Sequence, residues 1–266
     1  HDEIGNLQAG EFALPILDNW AYQELAIARN SVGAMRTNMI RRGIAAAANW
    51  VPEAPENGDL ENLQNEISDL ISEIVKRCEE PADEILVEIF HRIQLWGGNT
   101  GRNIYVQDGG FNENFSLDAY TEIFALSIDQ QPIQDKIYSL RAQVQRIQNW
   151  GLAFASKHVS FFSLAAHEAN PDRIHVPIFD RNLSKGCFGK NFPTFEDFTS
   201  FAHALNDPEE QPIGEYSVKT IERSLFNFFA RPEGEEWIRL RFQVGGGNPG
   251  RGRPPQPNAP RTGPSG

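Results

Sequence analysis

The spacing of apolar residues in segment 59–79 constrains the fold most strongly. Apolar side chains recur there every three or four residues, which is the spacing of one buried face of an α-helix. They are Leu60, Leu63, Ile67, Leu70, Ile71, Ile74, Val75 and Cys78. The same spacing recurs in segments 81–96, 117–128, 132–150, 194–205 and 217–230. No long segment alternates apolar and polar residues as a half-buried strand would, so the sequence predicts an all-α fold.

The 266 residues divide into three predicted parts. An N-terminal helical region covers 1–80, a helical domain covers 81–243, and a disordered tail rich in Gly and Pro covers 244–266. The chain lacks both a run of about 18 apolar residues and a secretory signal, which predicts a cytoplasmic protein with no membrane partner. Helix 59–79 is expected to face the core, although it could instead bind a protein partner.

The two cysteines, Cys78 and Cys187, do not have the spacing of metal ligands. We therefore expect reduced, buried thiols, and we predict no metal and no cofactor.

Charge is distributed unevenly along the chain. The net charge of −12 argues against nucleic acid as a partner, since phosphates attract Lys and Arg. Segment 136–190, however, holds eight basic residues and only three acidic ones. A surface that faces phosphates is therefore plausible there, while the acidic remainder could face a protein partner.

The same basic segment contains a lysine and an aspartate that the chain can bring together. A helix over 156–169 is about 20 Å long, and the eight extended residues 172–179 can span about 26 Å. The chain can thus return along this helix and deliver Asp180, as the N-cap of the next helix, beside Lys157. A deprotonated lysine next to a carboxylate can attack an anomeric carbon and form a Schiff base. Spacing alone favours the simpler alternative, in which a surface lysine and a capping aspartate never meet.

Three stretches around these residues resemble the helix-hairpin-helix DNA glycosylases, and most closely the bacterial proteins of the 8-oxoguanine DNA glycosylase fold. Leu-Ala-Phe-Ala-Ser-Lys at 152–157 stands where that family has its hairpin and catalytic lysine. Pro-Ile-Phe-Asp-Arg at 177–181 stands where it has its catalytic aspartate, and the loop 96–103 is also similar. The resemblance implies two helical lobes with a cleft, and a hairpin at 150–158.

The resemblance also implies a role for individual residues. Lys157 would be the nucleophile that forms the Schiff base, and Asp180 would assist loss of the base. Phe161 and Phe154 would line the pocket for a flipped base. The residues expected to contact DNA are Asn99, Arg102, Ala153, Ala155, His158, Arg181 and Lys185. Because Ala153 and Ala155 replace two family glycines, the hairpin can keep its shape only if their φ angles stay negative.

These implications predict a DNA glycosylase with lyase activity that acts on an oxidised or otherwise modified purine in base excision repair. Such a protein would be a bacterial one, associated with the nucleoid. Two alternatives stay open. The chain could be a glycosylase-fold protein that binds a partner without catalysis, or it could act on phage-modified bases or free nucleosides in anti-phage defence.

Overall fold

The computed structural model describes residues 60–78, 80–97, 104–106, 110–206 and 217–230, together with 234–235, 238–239 and 242. This part of the chain contains eight helices and no strand beyond an isolated bridge between Tyr105 and Phe111, which confirms the all-α prediction. The helices are α1 (Leu60–Arg77), α2 (Asp83–Trp96), α3 (Leu117–Ile128), α4 (Ile133–Val144), α5 (Leu152–Ala169), α6 (Arg181–Phe188), α7 (Phe195–Asn206) and α8 (Val218–Phe229). Most of the predicted N-terminal region (1–59) and the tail 244–266 lie outside the described residues.

Helix α1 buries the apolar stripe that the sequence predicts. Leu63, Ile67, Ile71 and Ile74 are buried, and the helix packs against α2 and α5. This confirms that the stripe faces the core, except at Cys78, which is exposed just beyond the end of α1. No helix in the described ranges is long and apolar enough to cross a membrane.

Helix α5 is the centre of the fold. It packs against α1, α2 and α3, and eleven of its eighteen residues are buried. A helix buried on most of its sides has neighbours to position its polar side chains as well as its apolar ones. The candidate lysine and the residues that hold the aspartate lie on this helix.

The boundaries of α4 and α5 differ from the prediction. Helix α4 ends at Val144 instead of Trp150, and α5 begins at Leu152 instead of Ser156. The connection between them is a series of turns in which Asn149 takes φ 60°, a left-handed conformation that Asn tolerates. Alanine is the strongest helix former, so Ala153 and Ala155 extend α5 backwards through the residues expected to form the hairpin.

The helices after the extended segment match their predicted limits closely. The side chain of Thr194 accepts a hydrogen bond from the Asp197 N–H and donates one to the Asp197 carboxylate, which caps α7 as predicted. Gly186 on α6 allows a close approach to α8, because a Cβ there would lie 2.2 Å from the ring of Phe229.

Candidate functional site

Two serines of α5 hold the extended segment 175–180 against the helix. The Ser156 hydroxyl accepts a hydrogen bond from the Phe179 N–H at 3.0 Å, and the Phe179 carbonyl lies 3.3 Å from the same hydroxyl. The Ser163 hydroxyl repeats this arrangement at Val176, with distances of 2.9 and 3.5 Å. Seven helical residues rise about 10.5 Å, and three extended residues cover about 10 Å, so the two spacings match.

This register places Lys157 and Asp180 next to a hydrogen-bonded pair of residues. Lys157 directly follows Ser156, and Asp180 directly follows Phe179. Phe179 is fully buried and packs against Phe198 and Phe201 of α7, which fixes the segment from its other side. The return of the chain along the helix, which the sequence analysis predicts, is therefore observed.

Asp180 caps α6, as predicted. One carboxylate oxygen accepts hydrogen bonds from the Asn182 N–H at 2.9 Å and the Leu183 N–H at 3.1 Å. These bonds fix the orientation of the carboxylate, which is half-buried. Arg181 is exposed immediately after it, and Lys185 is half-buried one turn later.

The half-buried amine of Lys157 has two described contacts. Its Nζ donates a hydrogen bond to the Gly97 carbonyl at 3.1 Å, and it lies 4.4 Å from the centre of the Phe154 ring. Phe154 therefore contacts the amine, whereas the resemblance predicted that it lines a base pocket.

A small cavity of about 40 Å³, which has room for only a few water molecules, begins one helical turn beyond Lys157. Phe161 lines it, and the ring packs edge-to-face on Trp96 at a centroid distance of 5.0 Å. Trp96 directly precedes Gly97, and Phe161 is four residues after Lys157. Both aromatic residues that line the cavity are therefore close in the sequence to the hydrogen bond between Lys157 and Gly97. Lys219 and Arg223 of α8 also line this cavity.

The cavity contains three buried polar residues that the sequence analysis did not identify, namely Ser160, His175 and Glu222. The Ser160 hydroxyl is 3.1 Å from His175 Nε2, and Glu222 accepts a hydrogen bond from the backbone N–H of Ile178. Burial, assisted by His167 and Lys219, lowers the pKa of His175 to about 3. His175 is therefore neutral.

The prediction that His158 contacts DNA is wrong. Its ring is fully buried, Nδ1 lies 2.7 Å from the Tyr120 hydroxyl, and the ring packs against Phe90 and Trp150. Burial and the charge of Lys157 hold the pKa of His158 well below its usual value, so the ring is a neutral core residue. Phe90 and Tyr120 come from distant parts of the sequence, which explains why a local pattern did not reveal the burial of His158.

The start of α5 offers fewer backbone donors than the hairpin prediction implies. The Ala155 N–H is bonded to the Gly151 carbonyl, so Ala155 does not supply a donor to phosphate. Within the described residues, the N–H groups of Leu152 and Ala153 have no acceptor. An anion could therefore meet two donors at this helix start, of which the predicted residue Ala153 supplies one.

The basic segment presents less free charge than its composition suggests. Lys136 is fully buried and donates hydrogen bonds to the carbonyls of Ser127 and Asp129 at the end of α3. Arg141 and Lys190 form ion pairs with acidic residues of α7.

Among the other basic residues of segment 136–190, Arg146, Arg173, Arg181 and Lys185 form no ion pair within the described ranges. Asn99 and Arg102, also predicted to contact DNA, lie outside those ranges. No cluster of metal-ligating side chains is found in them.

Comparisons of the chain with protein-family models, curated proteins and solved structures found no match.

Proposed function

We propose that this protein is a DNA glycosylase with lyase activity, of the helix-hairpin-helix superfamily, which removes a modified purine through a Schiff base on Lys157. The pair of hydrogen bonds between Ser156 and Phe179 carries the proposal, because it brings the backbone positions next to Lys157 and Asp180 together. The small cavity at Phe161 marks where a flipped base would enter, since its wall Trp96 directly precedes Gly97, the residue that holds the amine; a base would have to widen it. The two helical lobes and the cleft that the resemblance implies are also part of what we propose.

In the proposed reaction, the Lys157 amine transfers a proton to the Asp180 carboxylate and attacks the sugar C1′ atom. The bond between C1′ and the base breaks, and the base leaves with the electron pair and takes up a proton. The nitrogen then loses a further proton, and its lone pair forms the C=N bond as the bond between C1′ and the ring oxygen breaks. The ring oxygen leaves with the electron pair and takes up a proton, which gives the protonated Schiff base. Asp180 gives the proton it received to the departing base, and its carboxylate then stabilises the positive charge on the sugar.

The decisive test is borohydride trapping on duplexes that contain 8-oxoguanine or other modified purines. The wild-type protein should form a covalent adduct, and Lys157→Met should form none. Lys76→Met is the matched control, because Lys76 is an exposed lysine in the last turn of α1. An absence of adduct across the whole panel would refute the proposal.

Asp180→Asn separates catalysis from folding. Asparagine caps helices about as well as aspartate, so this change keeps α6 while it removes the charge. We expect unchanged thermal stability and a loss of base release of about 10²–10⁴-fold, the usual contribution of a general acid or base. Asp172→Asn, at an exposed aspartate, is the control and should keep full activity. Equal activity of the two variants would exclude Asp180 from the reaction.

A second candidate is the excision of phage-modified bases or the cleavage of free nucleosides. Two observations favour it. The net charge is −12, and Lys136, Arg141 and Lys190 form contacts within the protein, so that less positive charge is available to bind DNA phosphates. The same Lys157-dependent trapping, run with phage DNA and with nucleosides, distinguishes this candidate from the first.

A further inference from the structure

The amine of Lys157 is held at the C-terminal end of α2, a helix sixty residues earlier in the chain. Gly97 follows the last residue of α2, and its N–H is bonded to the Ile93 carbonyl at 2.8 Å. The Gly97 carbonyl therefore has a fixed position when it accepts the hydrogen bond from Nζ.

Space, not backbone conformation, explains why a glycine is present at this point. Gly97 has φ −72° and ψ −9°, values that any residue adopts. A Cβ built on Gly97 would lie 3.2 Å from both Cδ and Nζ of Lys157. The lysine side chain thus runs along the bare α-carbon of Gly97. An added methyl group would lie equally close to the Ile93 carbonyl oxygen, at 3.2 Å, and would push its neighbours aside by a few tenths of an ångström.

Two favourable interactions hold the amine in this position. The C-terminus of α2 carries a partial negative charge and a carbonyl that attract a cation. The ring of Phe154 adds a cation–π contact at 4.4 Å. The amine is therefore restrained from two different helices, α2 and α5.

We propose that Gly97 is a positioning residue for Lys157. Its missing side chain allows the lysine to lie along the end of α2, and its carbonyl fixes the amine beside the ring of Phe154. The catalytic meaning of this contact depends on the proposed function, whereas the contact itself does not.

The test that needs no substrate is acetylation of each lysine by an N-hydroxysuccinimide ester, followed by mass spectrometry. In Gly97→Ala, we expect the rate at Lys157 to rise about tenfold, as loss of one hydrogen bond to a charged group predicts. Gly151→Ala is the matched control, since a Cβ there has open space around it. Lys185 reports on the overall fold and should react equally in all three proteins.

An unchanged rate at Lys157 in folded Gly97→Ala would overturn the proposal, and so would equal increases at Lys157 and Lys185. If Gly97→Ala does not fold, Phe154→Leu loosens the amine from the other side. It should raise the Lys157 rate by a smaller factor, and an unchanged rate there would equally contradict the proposal.

Trapping on modified DNA adds a readout that a purely structural role would not change. Gly97→Ala should lower the single-turnover trapping rate by about tenfold with unchanged DNA affinity, since one hydrogen bond to a charged group is lost. Weaker DNA binding with an unchanged trapping rate would contradict a positioning role. If the wild-type protein is trapped on no DNA, the proposed function fails, and acetylation alone decides on Gly97.

Discussion

Replacement of Ser156 by alanine tests whether the serine contacts of α5 set the register of the site. The Ser156 hydroxyl is fully buried. It accepts a hydrogen bond from the Phe179 N–H and lies within hydrogen-bond distance of the Phe179 carbonyl. Alanine is slightly smaller than serine, so steric strain is not expected. The change leaves the buried Phe179 N–H without its acceptor.

The structure gives the size of the effect. A buried backbone group that loses its partner costs about 1–3 kcal/mol, and serine to alanine in a helix recovers a few tenths of that. We therefore expect Ser156→Ala to lower the free energy of unfolding by about 1–2.5 kcal/mol. Urea denaturation followed by circular dichroism measures this change.

Ser163→Ala is a matched control, because Ser163 makes the same two contacts with Val176 and is equally buried. The two variants should lose similar stability. Only Ser156→Ala should also lower the rate of borohydride trapping, since Ser156 adjoins Lys157 and Phe179 adjoins Asp180. Equal trapping rates in the two variants would refute a role of Ser156 in the register of the site, and unchanged stability in both would refute the hydrogen-bond argument itself.

Two further predictions concern pH. Burial lowers the pKa of His91 from 6.5 to about 4. Between these pH values His91 is protonated in the unfolded chain but not in the folded protein. The free energy of unfolding should therefore fall as the pH drops from 6.5 to 4. His91→Gln should reduce this fall in the urea midpoint, and an identical slope would contradict the assignment. Burial likewise lowers the pKa of Lys136 from 10.5 to about 8, so stability should rise between pH 8 and 10 in the wild-type protein. Lys136→Met should lack that rise, and a rise of equal size in the variant would point to another group.

Local sequence patterns predicted most of the helical framework. The stripe of α1 and the capping residues Thr194 and Asp197 act within one or two helical turns, so their spacing is sufficient to reveal them. The start of α5 was missed because the resemblance suggested a hairpin, whereas Ala153 and Ala155 favour helix. Helix propensity alone would have placed that boundary earlier.

The site could be predicted only in outline. The prolines and the length of segment 172–179 predicted that Asp180 returns towards Lys157. The sequence does contain a signal for the register of the extended segment on α5. Two serines seven residues apart on the helix match backbone groups three residues apart in that segment. The contact between Lys157 and Gly97 had no such signal, since sixty residues separate the two and only the packing of α2 on α5 joins them.

The most direct test of the central claim is to locate the site of covalent attachment. After borohydride reduction on a duplex that contains a modified purine, the adduct should map by mass spectrometry to the peptide that contains Lys157, at its Nζ atom. Asp180→Asn should reduce the amount of adduct without moving it. An adduct on another lysine, or none on any modified base, would contradict the account.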